Sequence, residues 1–148
     1  MKEAIAEAYK GIQNGHGGPF GAVIVKDGKI IGRGHNCVIR DKDPTLHGEI
    51  MAIRDACRQA GDFNLSGSEI YTTAEPCPMC LGAILWAGIG KIYYGCNRVD
   101  TEKIGFRDNV FYSMLDGGPK AYEISETERE TCLKLFKDYQ DIEDRTMY

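Results

Sequence analysis

Two short runs hold residue types that can do chemistry together: His47-Gly48-Glu49 and Glu75-Pro76-Cys77-Pro78-Met79-Cys80. They supply one imidazole, two thiols in a Cys-x-x-Cys spacing, and a carboxylate one residue removed from the imidazole. Zinc takes soft sulfur and borderline nitrogen, and a catalytic site keeps three protein ligands with the fourth position open to water. His47, Cys77 and Cys80 make that count, which leaves Glu49 to handle protons rather than metal. Two other readings compete on spacing alone. A lone Cys-x-x-Cys also serves as a redox pair or as half of a structural zinc site. A redox pair needs no His-x-Glu beside it, and a closed structural site needs a fourth ligand. Cys37, Cys57, Cys96 and Cys132 are candidates for that place, although none forms a second Cys-x-x-Cys.

The elements that must position these groups are two helices. Pro44-Thr45 precedes Ile50 to Cys57, which has helical apolar spacing, so His47 and Glu49 fall in its first turn. Ile70 to Thr73 reads as a strand and Cys77 to Trp86 as the helix after it. Both motifs then lie at helix starts, where the backbone dipole favours thiolates. Spacing of i, i+2 sends His47 and Glu49 to different sides of the turn, one toward a metal and one toward a substrate. Pro76 restrains the approach to Cys77, and Pro78 suits a first helical turn.

Around this centre the chain reads as α/β. A helix is expected over 2–13, with Ala4, Ile5, Ala8, Tyr9 and Ile12 on one face, and Gly15 to Gly18 ending it. The apolar run 20–25, the turn Asp27-Gly28 and the return over 29–36 predict a hairpin. The His47 helix stops at Gly61. Strand 70–73, helix 78–87 and strand 91–95 form a right-handed βαβ unit with parallel pairing. Within 97–118 the run 109–115 suggests a short helix, 121–124 a last strand, and 126–139 a charged amphipathic helix before a polar tail. The expectation is one domain over 1–148, with helices on both faces of a mixed sheet.

Composition bounds the function. A 148-residue chain with 43% hydrophobic and 27% charged residues matches a soluble globular protein. It has no apolar run of about 18 residues, so no membrane partner is expected. The N-terminus Met-Lys-Glu-Ala-Ile-Ala-Glu is too acidic for a signal peptide. Six cysteines without such a signal point to a reducing, cytoplasmic setting. The net charge of −4 disfavours an extended polyanionic partner such as nucleic acid.

The order His-x-Glu, then Pro-Cys-x-x-Cys, resembles the zinc-dependent nucleobase deaminases of the cytidine/deoxycytidylate deaminase superfamily. The resemblance implies a three-layer α/β/α sandwich with a five-stranded mixed sheet. It also implies one Zn²⁺ per subunit, a water or hydroxide as fourth ligand, and Glu49 as the proton-transfer group. Asn36 matches a position that hydrogen-bonds the base. Phe20 and Trp86 are candidates to stack on a planar ring, with core packing as their alternative. His35, next to Asn36 in the strand, points to the other face and is set aside. Gly48 stands where members mostly carry Ala, at a modest cost in a helix start.

Three longer stretches sharpen the resemblance: His16-Gly-Gly-Pro-Phe-Gly-Ala-Val-Ile-Val-Lys-Asp-Gly, Glu75 to Ala87, and Gly105-Phe106-Arg107-Asp108. With a terminal Tyr148, they are similar to the small bacterial guanine deaminases. That similarity implies hydrolysis of guanine to xanthine and ammonia, with Asp108 as a second proton-handling or substrate-binding carboxylate. It further implies a homodimer in which the 126–148 tail is exchanged and Tyr148 closes the pocket. Arg107 stands where those enzymes can carry an acid, a departure beside Asp108. Rival readings are a tRNA adenosine deaminase, a cytosine or cytidine deaminase and, from a different class, a zinc-stabilised binding module without turnover.

Overall fold

The computed structural model describes residues 1–146. Helix α1 (Lys2–Gln13) leads to a hairpin, β1 (Gly21–Lys26) and β2 (Lys29–His35). Asp27 and Gly28 both have positive φ at its turn, 51° and 73°, the requirement of a tight two-residue hairpin turn. A single turn, α2 (Val38–Asp41), precedes α3 (Gly48–Ala60), which ends at Gly61 in the left-handed conformation. The βαβ unit follows as β3 (Glu69–Ala74), α4 (Pro78–Trp86) and β4 (Lys91–Cys96). Helices α5 (Arg98–Lys103), α6 (Asp108–Leu115) and α7 (Arg129–Gln140) complete the described chain.

The sheet runs β2-β1-β3-β4, antiparallel at the first two joins and parallel between β3 and β4. It is mixed and flanked by helices, as expected, but it has four strands among the described residues rather than five. The run 121–124 forms no strand, and all four of its residues are exposed. The Ala121 amide donates to the Met114 sulfur at 3.4 Å, turning the chain back on α6 instead of along β4. Four residues with no side chain buried give a strand nothing to pack against.

Ile24, Ile70 and Ile84 are fully buried and Leu65 almost so, packed with Ala22, Ala52, Ala56, Ala87 and Ile89. Each such large side chain contributes about 1.5–3 kcal/mol on leaving water. Small residues set the layer spacing. A Cβ at Gly34 would overlap the Ala52 amide nitrogen, so α3 rests directly on β2. Helix α1 likewise buries Ala4, Ala8 and Gly11, whereas Ile5, Tyr9 and Ile12 of the expected apolar face stay exposed. Close approach to the sheet selects the small edge of that helix over its bulky one. Helix α7 begins three residues past its expected start, after Glu128 turns left-handed at φ 52°. No helix among the described residues is long and apolar enough to cross a membrane.

Candidate metal centre and substrate cavity

His47 and Cys77 are the N-cap residues of α3 and α4, both extended, with φ −69° and −66°. Cys80 follows in the first turn of α4, whose start Pro78 favours. The crossover from β3 and the hairpin-to-α3 connection thus bring two distant motifs together. His47 Nδ1 lies 3.6 Å from both the Cys77 and Cys80 sulfurs. With Zn–S near 2.3 Å and Zn–N near 2.0–2.1 Å, a tetrahedral zinc places such donors about 3.6 Å apart. Both sulfurs are buried. Donor type, spacing and burial all fit zinc.

Glu49 is 5% exposed and faces the same point. A cavity of about 370 Å³ opens there, lined by Asn36, Phe20, His47, Glu49, Phe106 and Asp108 among others. Asn36 is nearly buried; its Oδ1 accepts from the amides of Gly18 at 3.3 Å and Val38 at 3.2 Å. The Phe20 ring meets Phe106 edge-on, centroids 4.8 Å apart, to make an apolar wall. Asp108, the first residue of α6, brings a carboxylate from the other end of the chain. Gly48 admits this geometry, since a Cβ there would press the Phe20 carbonyl oxygen at 2.8 Å. The glycine is therefore matched to the close passage of the Phe20 backbone rather than being a neutral departure.

Of the sequence-predicted site residues, His47, Glu49, Cys77, Asn36, Phe20 and Asp108 line this cavity, and Cys80 joins His47 and Cys77 beside it. Trp86 does not. It ends α4, 72% exposed, in a separate shallow hollow with Ile53, Cys57 and Phe63. About two helical turns decide this, because Cys77 and Cys80 occupy the site end of α4 and Trp86 the far end. Tyr148 lies outside the described residues.

Electrostatics prepare the site for metal. Hydrogen bonding from Cys80, with His47 adding, holds the Cys77 thiol down to about 4. The Cys80 thiol is pushed up, first by that same bond to Cys77 and then by burial. His47 is raised by its contact with Cys77. Burial raises both carboxyls: Glu49 chiefly by desolvation, Asp108 by desolvation and then the Cys77 charge. Carboxyls held up by burial are suited to carrying a proton in mid-reaction.

A brace that sequence reasoning missed fixes the thiolate loop. The Tyr112 hydroxyl donates to the Pro76 carbonyl at 2.6 Å. The Arg98 guanidinium lies 4.4 Å from the centre of the Tyr112 ring and pairs with Glu75 at 3.2 Å. Phe111 also lines the cavity. Glu75 and Phe106 stood inside quoted motifs and were findable by adjacency; Phe111 and Tyr112 carried no signal beyond membership of an expected short helix, and Arg98 carried none, since α5 was not expected.

Residues 1–96 match the family described as the cytidine and deoxycytidylate deaminase zinc-binding region. Guanine deaminase of Bacillus subtilis (strain 168) is 40% identical over 144 residues, covering 94% of this chain and 92% of its own. Its X-ray structure superposes with a TM-score of 0.93 at 39% identity, covering 99% of this chain and 95% of that one. The tRNA-specific adenosine deaminase of Streptococcus pyogenes serotype M18 (strain MGAS8232) is 40% identical over 116 residues, 78% of this chain and 70% of that protein. The matched region ends with β4, so it contains the whole sheet, both metal-site helices and every ligand of the trio. This chain belongs to the cytidine and deoxycytidylate deaminase zinc-binding family.

Proposed function

We propose that the chain is a cytoplasmic, single-domain guanine deaminase that converts guanine and water to xanthine and ammonia. The observation that carries this reading is the cavity of about 370 Å³ in which Asn36, Glu49 and Asp108 converge beside the His47, Cys77 and Cys80 trio. The near full-length likeness to a guanine deaminase supports the substrate. The cavity is at the small end of ligand sites, in keeping with a free base rather than a nucleotide.

Recognition follows from what Asn36 has left to offer. Its oxygen is taken by two backbone amides, so only its NH₂ faces a ligand. That group suits the edge of guanine, where O6 and N7 both accept, and not adenine, which puts an amino donor beside N7. Phe20 and Phe106 confine the planar ring. Glu49 accepts one proton of the attacking water and delivers it to a ring nitrogen next to C2. It then takes the second from the new C2 hydroxyl and passes it to the amine, which departs as ammonia while C2 becomes a carbonyl. Asp108 accepts from the 2-amino group and orients it. When bound, one zinc per subunit, with a coordination position left to water, supplies the Lewis acidity that makes water nucleophilic at neutral pH.

The same reading includes a homodimer that exchanges residues 126–148 and brings Tyr148 to a partner's cavity. Leu133, Phe136 and Tyr139 of α7 and Ile142 beyond it are all exposed, an apolar face that one chain leaves uncovered. Light scattering at micromolar concentration should give twice the chain mass; a monomer removes the exchange. The deciding assay is ammonia release by zinc-loaded protein on guanine, guanosine, adenine, cytosine, cytidine and a tRNA anticodon hairpin. Turnover of guanine is expected. Turnover of the hairpin alone, the outcome the Streptococcus likeness favours, would reassign the substrate and leave the metal trio and Glu49 in place.

A further inference from the structure

A second cluster of metal-type donors lies outside the catalytic cavity and shares no residue with the trio there. His16, from the loop after α1, meets His35, the last residue of β2, and Cys37, two residues on. One donor atom from each falls within 4.8 Å of the others. The two imidazoles stack at 20°, with centroids 5.1 Å apart, and His16 Nδ1 is 2.9 Å from His35 Nε2. His35 and Cys37 are buried and His16 half-buried. His35 Nδ1 faces a Glu7 carboxylate oxygen at 3.0 Å.

That carboxylate does for His35 what outer partners do for metal-ligating histidines: it fixes the tautomer and turns the other nitrogen inward. An ionised carboxylate only accepts, so Nδ1 carries the proton and Nε2 presents its lone pair to His16. One proton then bridges the two rings. We propose that His16, His35 and Cys37 form a second metal site, for zinc or another borderline divalent ion of similar size.

Two imidazoles and a thiolate are a donor set that zinc accepts with a fourth position left open. Zinc needs its two nitrogens about 3.3–3.4 Å apart, so the rings must part by a few tenths of an ångström. The sulfur, now donating to the His35 carbonyl at 3.3 Å, must swing toward the rings. Binding releases one proton to solvent, that of the Cys37 thiol; the proton shared by the imidazoles passes to His16 Nε2 as that ring changes tautomer, and no redox partner is needed. Access is open, because Glu7, His35 and Cys37 line a groove of about 1020 Å³.

Placement gives such an ion a consequence. His35 and Cys37 flank Asn36, whose amide donates to the Phe20 carbonyl at 2.8 Å, and the His16 carbonyl accepts from Ile39 and Arg40 at the cavity rim. An ion on this cluster ties the α1 loop to the strand end that carries Asn36.

The test is stoichiometry. Metal-stripped protein is reloaded with excess Zn²⁺, desalted and measured by elemental analysis. About two zinc ions per chain are expected for the wild type and about one for both Cys37→Ser and His16→Ala. Cobalt supplies an independent readout: a His47→Ala, Cys77→Ser, Cys80→Ser variant should keep a thiolate-to-cobalt absorption band that adding Cys37→Ser abolishes. Should that variant fail to fold, the comparison of wild type with Cys37→Ser still decides. One zinc ion in the wild type, or two persisting in Cys37→Ser, overturns the second site. The Glu7–His35–His16 chain would then only brace the loop by hydrogen bonds.

Discussion

The two parts of the molecule that meet at the cavity are built differently. Up to β4 the chain holds its own core, and from Ala4 to Ile89 lie all the buried apolar side chains among the described residues. Beyond Cys96, among the described residues, only Thr101 is buried, while Val99, Leu115, Phe136 and other large apolar groups stay exposed. The first part supplies the candidate metal ligands, Glu49, Asn36 and Phe20; the second supplies Asp108, Phe106 and Phe111. Chemistry common to a family thus sits on a rigid, self-sufficient frame. Asn36 and Phe20 sit on that frame as well, but the opposite wall of the cavity, Phe106, Asp108 and Phe111, comes from α6 and the loop before it, whose position depends on what covers them. In a fold of this kind the wall carried beyond β4 can change without disturbing the metal, because the described residues of that segment contribute nothing to the buried apolar core.

Glu49→Gln tests the first part and should have the largest effect. Proton-transfer groups contribute roughly 10²–10⁴-fold, so activity should fall by that much while the zinc content holds, since Glu49 is not among the three donors. A variant within a few-fold of wild type would remove Glu49 from the proton path. Asp108→Ala tests the second part. Losing a charged hydrogen-bond partner costs about 1.5–3 kcal/mol, or about 10–100-fold in kcat/KM, again with unchanged zinc. If Asp108→Ala lowers the zinc content instead, the division between frame and substrate end is wrong.

How much of this could be read beforehand follows the same division. The trio, Glu49, the hairpin and the βαβ unit were legible because their signals are local: short motifs, alternating runs, a turn dipeptide, prolines at a helix start. The misreadings arose where tertiary packing overrides local pattern. The apolar periodicity of α1 put Ala4, Ile5, Ala8, Tyr9 and Ile12 on one face, but the close sheet buries only Ala4 and Ala8 of these. The expected strand at 121–124 failed because strand formation depends on a neighbouring surface, and that run instead hydrogen-bonds back to Met114. Trp86 shared a helix with the ligands but sat at the wrong end of it. The Arg98–Tyr112 brace joins residues far apart in sequence, and no spacing announces such a contact. Strand alternation did turn His35 away from Asn36, and only the folded chain shows what it meets there.

The smallest signal bears on whether the frame is set before any metal arrives. Cys77 is held down to about 4, first by the Cys80 hydrogen bond and then by His47. A depressed value favours the charged form, so this thiol is deprotonated through the neutral range and takes up its proton only as pH falls through about 4. The metal-free protein should therefore show one thiolate in its ultraviolet absorbance at pH 6, lost in Cys77→Ser and titrating away near pH 4. Metal capture would then meet one ligand already charged, and its affinity should fall steeply only below that point on account of Cys77. A thiolate signal appearing only above about pH 8 would mean that the ion, rather than the helix start and its neighbours, creates the charge. The contrast between a preset frame and an adjustable substrate end would then lose its electrostatic half and stand on burial alone.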